Sequence, residues 1–172
     1  MRVLSLLLAL SSLSSGAVDQ YTGYLDGIQT AISYLTFDGA DPEDYFGTAC
    51  TNKLVVTSMW AAAKVYCTTK QIEAGFQEFA GYCSEYGSVE LVPYTKVLPL
   101  LTNDYIKSLP VAQYSDVENA TVFDTSVMIS TSLYRTGKDT YVCAYFFNHA
   151  MRIANKEKVV FDVEYVLHER YG

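Results

Sequence analysis

The sequence is poor in the residues and motifs that mark most enzyme active sites. It has only two histidines among 172 residues, and His149 and His168 lie too far apart in the sequence to form a paired metal site on one helix. A lone histidine beside aromatic residues is most often a packing residue. No GxSxG, HExxH or P-loop sequence occurs, and no glycine fingerprint for a dinucleotide. These absences argue against hydrolases, zinc proteases and dinucleotide-dependent enzymes.

Long hydrophobic runs and positive charge are also scarce. The apolar run Val3–Leu10 and the twelve-residue uncharged run Thr140–Met151 are both far shorter than the ~20 residues that a membrane-spanning helix needs. The chain has 12 Lys and Arg residues against 19 Asp and Glu residues. Such an acidic surface does not suit nucleic acid or anionic lipid, although it attracts cations weakly. We therefore expect no nucleic-acid partner.

The first seventeen residues have the pattern of a secretory signal peptide. Met1-Arg2 precedes the short apolar run, and a serine-rich stretch supplies small residues for cleavage after Ala17. The alternative, a membrane anchor, would need a longer apolar run. We therefore predict a signal peptide, residues 1–17, and a single domain, residues 18–172, located outside the cell or at the outer face of the plasma membrane. Cleavage removes Arg2 and lowers the formal net charge from −7 to −8.

The four cysteines predict disulfides. None of them belongs to a CxxC pair, the spacing that zinc sites and redox motifs use. An even number of cysteines in the secretory pathway favours disulfides over free thiols or zinc. A Cys–His nucleophilic pair is not expected, because it needs a free thiol.

Two stretches with helical spacing lie between Cys50 and Gly87. Thr68 and Gln71 separate them and form a capping-box pattern, which predicts the start of the second helix. Gly87 suits the end of that helix. Because the connection is short, we predict an antiparallel helix hairpin. The apolar positions are Val55, Met59, Ala62 and Tyr66 in the first helix and Ile72, Phe76, Phe79 and Cys83 in the second.

This hairpin restricts the cysteine pairing. Cys67 lies at the turn and Cys83 sixteen residues later, which is roughly 24 Å along a straight helix. A disulfide needs Cα atoms within roughly 7 Å, so these two cannot pair. Cys50 precedes the first helix and lies at the open end, near Cys83. Of the three possible connectivities, we predict Cys50–Cys83 together with Cys67–Cys143.

The rest of the chain predicts a mostly α fold, a small disulfide-stabilised helical domain built around the hairpin. A first helix is expected over residues 19–35, and Gly137 weakens a last helix that Ser130-Thr131-Ser132 would cap. Between the hairpin and that last helix we predict three kinds of segment: short helical turns over 91–110, a polar loop over 112–119 and an extended segment over 122–129.

Four carboxylates lie in the loop between Phe37 and Phe46. A cation site is one interpretation, but the loop lacks the bidentate Glu of an EF-hand. A solvated turn, with Asp41-Pro42 starting a short helix, is the interpretation that we favour. The four residues are Asp38, Asp41, Glu43 and Asp44.

Asn119-Ala120-Thr121 is the only N-glycosylation sequon in the chain. Its polar neighbours, such as Asp116 and Glu118, predict an exposed loop. We therefore expect a glycoprotein with its glycan on Asn119.

Several short motifs resemble the extracellular N-terminal domain of fungal ferric-chelate reductases, and the likeness spreads over more than half of the chain. The cysteine-containing motifs are the most specific. The motifs are Ala49-Cys50-Thr51-Asn52, Tyr66-Cys67-Thr68, Ile72-Glu73-Ala74-Gly75, Tyr82-Cys83, Tyr86-Gly87-x-Val89-Glu90-Leu91, Leu109-Pro110, and the stretch from Ser132-Leu133-Tyr134 to Met151-Arg152.

The resemblance implies an oxidoreductase family of iron transport. In such reductases the ectodomain precedes a membrane region with two haems and a cytosolic module for FAD and NADPH, and electrons cross the membrane to reduce ferric chelates outside. His168-x-x-Tyr171-Gly172 resembles the point where these chains enter the membrane, whereas residues 153–170 match poorly. The chain would thus be truncated before the membrane region.

The implied function is that of an associated domain without its own catalysis. Haem, FAD and NADPH sites are not encoded here, so no cofactor is expected in this chain and no catalytic residue can be carried over. The expected partners are ferric chelates or the membrane region of a reductase, in iron or copper reduction and uptake. The alternative is a free secreted binding module stabilised by its disulfides, and a surface structural protein is a third interpretation.

Overall fold

The structure is a computed structural model that describes residues 23–154, with side chains described to residue 144. The predicted signal peptide, the start of the first predicted helix, His168 and the chain from residue 155 onward lie outside these residues. By its internal contacts the chain divides into two compact units, Met1–Val142 and Cys143–Gly172. The described residues form a mostly helical small domain, 67% helix in eight α-helices, which confirms the predicted fold class at this level.

Helix α1 (Gly23–Ser33) contributes buried residues to the core of the first unit. It packs against both α3 (Lys53–Tyr66) and α4 (Thr69–Tyr86). Apolar residues three and four positions apart place its apolar stripe in the core, and two further residues of the helix are buried glycines. Its buried residues are Gly23, Leu25, Asp26, Gly27, Ile28, Ala31 and Ile32.

The two helices predicted from the apolar spacing are both present. Asn52 caps α3 by accepting hydrogen bonds from two backbone N–H groups. At the start of α4, Thr68 and Gln71 form the predicted capping box, and Gly87 ends the helix. Trp60 on α3 contacts Phe76 on α4, with 6.1 Å between the ring centroids.

Helix α2 (Tyr45–Thr51) carries Cys50 to the end of α4. The predicted Cys50–Cys83 disulfide is present, with its Cα atoms 5.9 Å apart. The prediction that Asp41-Pro42 starts the short helix is wrong: Asp44 accepts a hydrogen bond from the N–H of Gly47, and the helix begins after it.

The second predicted disulfide, Cys67–Cys143, is not formed, and both residues are free cysteines. Tyr134 of α8 (Thr131–Ala154) stacks on Tyr66, the neighbour of Cys67, with 4.4 Å between ring centroids. Nine residues, or two and a half helical turns, separate Tyr134 from Cys143. Cys143 therefore lies on the opposite face of α8, where it is exposed.

The segment after α4 forms short elements, as predicted for residues 91–110. These are α5 (Tyr94–Val97), a 3-10 helix (Leu98–Leu100) and α6 (Asn103–Ser108), and Thr102 caps α6 through the N–H of Tyr105. The polar loop predicted for 112–119 is wrong in part. Here α7 (Tyr114–Glu118) forms, because Asp116 accepts a hydrogen bond from the N–H of Gln113, 2.7 Å away, at the start of the helix.

Two short pairs of parallel strands join distant parts of the chain. β1 (Thr36–Phe37) pairs with β3 (Val122–Phe123), and β2 (Val111–Ala112) pairs with β4 (Met128–Ile129). The extended segment predicted for 122–129 is thus confirmed at its two ends, while residues 124–127 between them are not strand.

Helix α8 contacts α1 through glycine. A Cβ atom on Gly137 would lie 2.4 Å from the carbonyl oxygen of Gly27 and 2.6 Å from the backbone nitrogen of Ala31. Ser130 accepts a hydrogen bond from the N–H of Leu133 at the start of the helix, as its predicted cap. Among the described helices, α8 included, none combines the length and hydropathy required to cross a membrane.

Candidate functional site

A pocket of about 340 Å³ lies between α1, α2, α3 and the loop of residues 36–44. Its floor is apolar and buried, whereas its polar groups come from the end of α1, the loop and the first residues of α2. The apolar lining residues are Ile32, Leu35, Phe37, Ala40, Pro42, Ala49, Val55 and Met59, and the polar ones are Gln29, Ser33, Thr36, Asp41, Tyr45 and Thr48.

Hydrogen bonds hold the loop that forms one wall of this pocket. The side chain of Thr48 accepts a hydrogen bond from the N–H of Asp41 at 2.9 Å and donates one to its carbonyl oxygen at 3.1 Å. Asn52 donates its amide to the carbonyl oxygen of Asp38, 3.2 Å away. Between these two points Gly39 has φ +70°, a left-handed conformation that favours glycine. Hydrogen bonds within the protein therefore hold this wall in place.

The polar groups of the pocket carry negative but no positive charge. The amide of Gln29 donates to the hydroxyl of Tyr45. Asp41 is the one carboxylate among the lining residues, and its Oδ1 accepts a hydrogen bond from the N–H of Glu43, 2.9 Å away. The lining contains no Lys, Arg or His.

A second polar site lies where α1, α4 and α8 meet. Asp26 is 4% exposed, and its Oδ2 has no hydrogen-bond partner. Burial, reinforced by the charge of Glu78, raises the pKa of Asp26 to about 7, and a hydrogen bond from Tyr141 opposes this. The hydroxyl of Tyr82 donates to Glu78 at 3.0 Å. Burial also raises the pKa values of Tyr82 and Tyr141, and the neighbouring carboxylates Glu78 and Asp26 raise them further.

Two of the four carboxylates of the acidic loop accept hydrogen bonds from backbone N–H groups. Asp44 and Asp41 accept hydrogen bonds from the N–H groups of Gly47 and Glu43. In residues 23–154 as far as the side chains are described, no group of three or more His, Cys, Asp or Glu residues is placed to hold a metal ion.

The structure places the predicted site residues in three different environments. Cys50 and Cys83 are bonded and fully buried. Cys67 is a half-buried thiol whose pKa burial raises to about 12, against the opposing effect of Lys138. Asn119 is exposed at the end of α7, as the sequon prediction requires.

No family model, curated protein or solved structure matches this chain. The functional assignment therefore depends on the geometry above and on the motifs of the sequence.

Sequence reasoning missed both the pocket and Asp26. The pocket is formed by residues of α1, α2, α3 and a loop, whose contacts no local pattern reveals. Asp26 did leave a signal, because it is the one charged residue of α1, a helix in which seven of eleven residues are buried. A carboxylate in such a helix is expected either to pair or to become protonated.

Proposed function

We propose that this chain is an extracellular domain of the ferric-chelate reductase type, without catalysis of its own, associated with iron or copper reduction at the plasma membrane. The observation that carries this proposal is that motifs of the resemblance that lie far apart in the sequence contact each other. Cys50 of the first motif is bonded to Cys83, and Tyr66 stacks on Tyr134.

Other residues of the motifs support the same hypothesis. Leu91, Leu109 and Leu133 are all buried in the core, and Gly75 lies so close to Leu25 that a Cβ atom there would be 2.4 Å from the Leu25 Cβ atom. Several of the resembling residues are thus packing residues, which is what a shared architecture requires. We also propose that the antiparallel hairpin of α3 and α4 is the centre of that architecture.

In this proposal the domain acts by position and charge. Haem, FAD and NADPH belong to the membrane and cytosolic regions of such reductases, so the domain would cover the outer side of the membrane region. Its net charge, −7 for the whole sequence, attracts cations and metal chelates with positive charge. A glycan on exposed Asn119 would face the extracellular medium.

A chimera tests this function. The ectodomain of a fungal ferric reductase is replaced by residues 18–172, and reduction of ferric chelate is measured at the surface of cells that lack their own reductases. We expect the chimera to reduce ferric chelate at least severalfold faster than a reductase with the ectodomain deleted, at equal surface abundance. Equal rates would contradict the proposal, and so would NADPH-dependent ferric reduction by the purified chain alone.

The pocket favours a second candidate, a free secreted binding module. Sequencing of the transcript beyond the Gly172 codon separates the two candidates. Several further apolar segments of ~20 residues with histidines spaced along them would favour the reductase, whereas a stop codon at that point would favour the free module.

A further inference from the structure

We propose that the pocket between α1, α2, α3 and the loop of residues 36–44 binds a small apolar molecule whose polar end is a hydroxyl or an amine and not a carboxylate. This inference goes beyond the proposed function and does not depend on it. It rests on the size of the pocket, its apolar floor, the charge of its lining and the fixed position of its walls.

The size and the floor define the apolar part of the ligand. Small-molecule sites typically have volumes of roughly 300–1,000 Å³, and this pocket has about 340 Å³. Ile32, Phe37 and Met59 on its floor are each at most 3% exposed. Water next to such side chains lacks hydrogen-bond partners, so its replacement by hydrocarbon is favourable.

The charge of the lining defines the polar end. Asp41 offers a carboxylate, and the Gln29–Tyr45 pair offers hydrogen-bonding groups. A hydroxyl or an ammonium group donates hydrogen bonds to such acceptors, and an ammonium group is also attracted by the charge of Asp41. A carboxylate head would meet Asp41 with no Lys, Arg or His among the lining residues to neutralise it.

The fixed walls lower the cost of binding. The loop is tied to α2 by the two hydrogen bonds between Asp41 and Thr48 and to Asn52 through Asp38. The N–H of Asp38 also donates to the carbonyl oxygen of Phe123 at 2.8 Å, next to the β1–β3 pair. Because these hydrogen bonds are made within the protein itself, a ligand does not have to order the loop.

Three probes with the same hydrocarbon chain test the ligand class: 1-octanol, octylamine and octanoate. Each is titrated into the purified secreted chain at pH 7 by isothermal titration calorimetry. We expect 1-octanol and octylamine to bind with a stoichiometry of one, and octanoate to bind at least tenfold more weakly. No saturable binding of any probe, or octanoate binding as tightly as octylamine, would overturn the proposal.

Two variants locate the binding. Ala40→Trp places a large ring in the pocket from a half-buried loop position and should abolish binding, whereas Gln77→Trp, at an exposed position of α4, should leave it unchanged. Asp41→Asn keeps an oxygen for the N–H of Glu43 but removes the charge. It should reduce the preference for octylamine over octanoate at least fivefold, and the exposed Glu90→Gln should leave that preference unchanged.

The binding test still gives a result if one of the variants folds poorly. Circular dichroism and the thermal midpoint identify a misfolded Ala40→Trp, and in that case the Asp41→Asn preference is the test. Octylamine binding that persists in a folded Ala40→Trp, or an unchanged preference in Asp41→Asn, would show that the probes bind elsewhere and would reject this site.

Discussion

Asp26 shows how one residue sets a pH dependence for the whole fold. It is buried on α1 with one oxygen that lacks a hydrogen-bond partner, and Glu78 lies near enough to raise its pKa further. The titratable groups coupled to it from the neighbouring helices are Tyr45 on α2, Glu78 and Tyr82 on α4, and Tyr141 on α8. Burial and the charge of Glu78 together outweigh the hydrogen bond from Tyr141, so the native state holds the Asp26 proton more tightly than the unfolded chain does.

We expect Asp26→Asn to remove this pH dependence. The pKa of Asp26 is about 7 in the native state against an ordinary value of 3.8, so the native state binds more protons and the wild-type free energy of unfolding falls as pH rises from about 4 to 7. At 1.36 kcal/mol per pH unit the fall is roughly 4 kcal/mol. The variant should match the wild type at pH 4 and be more stable at pH 8, as measured by urea unfolding.

The matched control for that measurement is Asp104→Asn, which changes an exposed carboxylate on α6. It should follow the wild-type curve at both pH values. A stability gain at pH 8 in the control equal to that of Asp26→Asn would contradict the role assigned to Asp26.

The two free cysteines should differ sharply in reactivity. Burial raises the pKa of Cys67 to about 12, whereas Cys143 is exposed, and the thiolate is the reactive form. At pH 8, iodoacetamide should therefore modify Cys143 at least a hundredfold faster than Cys67, as followed by mass spectrometry of peptides. If neither cysteine is modified in denaturant without reductant, then Cys67 and Cys143 form the disulfide predicted from the sequence.

At the scale of elements, the crossing of α1 and α8 depends on the absence of a side chain. Gly27 and Gly137 lie against the opposite helix, and Cβ atoms at these positions would meet backbone atoms at 2.9 Å and 2.4 Å respectively. Backbone cannot yield as a flexible side chain does. Lys138, next to Gly137, lies over the ring of Tyr24 with its Nζ 4.3 Å from the centroid, so the crossing brings cationic and aromatic groups together as well.

Gly137→Ala should destabilise the protein by about 1–3 kcal/mol, the usual cost of overpacking, even though alanine favours a helix by ~1 kcal/mol. Gly81→Ala is the matched control, because Gly81 lies in α4 with no atom within 4 Å of its added Cβ. Thermal unfolding should show a lower midpoint for the first variant and an equal or higher midpoint for the second. Equal shifts in the two variants would mean that helix propensity alone is at work.

The sequence predicted those elements whose signals are local. The helices α3 and α4, the Thr68–Gln71 capping box and the Thr102 cap depend on residues within about four positions of each other. Local patterns could not predict the pocket or the burial of Asp26, because both depend on contacts between distant parts of the chain. The loop that walls the pocket takes its position from β3, some 85 residues further along the chain, as Thr36 pairs with Val122, and the burial of Asp26 depends on packing by α4 and α8. The predicted Cys67–Cys143 disulfide was wrong for a similar reason. The side of α8 on which Cys143 lies depends on which face of α8 packs against α1.

At the scale of the whole molecule, one covalent bond joins elements that the chain order separates. Cys50 lies in α2 and Cys83 near the end of α4, and the bond closes a loop with a sequence separation of 33. The core alongside it is continuous, with Trp60, Phe79 and Leu25 all fully or almost fully buried. The disulfide therefore adds to a core with extensive apolar burial.

Cys50→Ala with Cys83→Ala should lower the free energy of unfolding by about 3–4 kcal/mol, the effect of releasing a loop of this length in the unfolded chain. The variant should still fold, with an unchanged circular dichroism spectrum. Cys143→Ala, which alters an exposed free cysteine, should leave the unfolding curve unchanged. Loss of all helical signal in the double variant would show instead that the core cannot form without the bond.

The same bond has a practical consequence for intact mass and proteolysis. Only Cys67 and Thr68 separate α3 from α4, and both lie between the bonded cysteines. A protease that cuts this link leaves its two products tethered, so they migrate as one species until a reductant is added. A preparation of this protein that looks homogeneous on a non-reducing gel can therefore consist of cleaved chains.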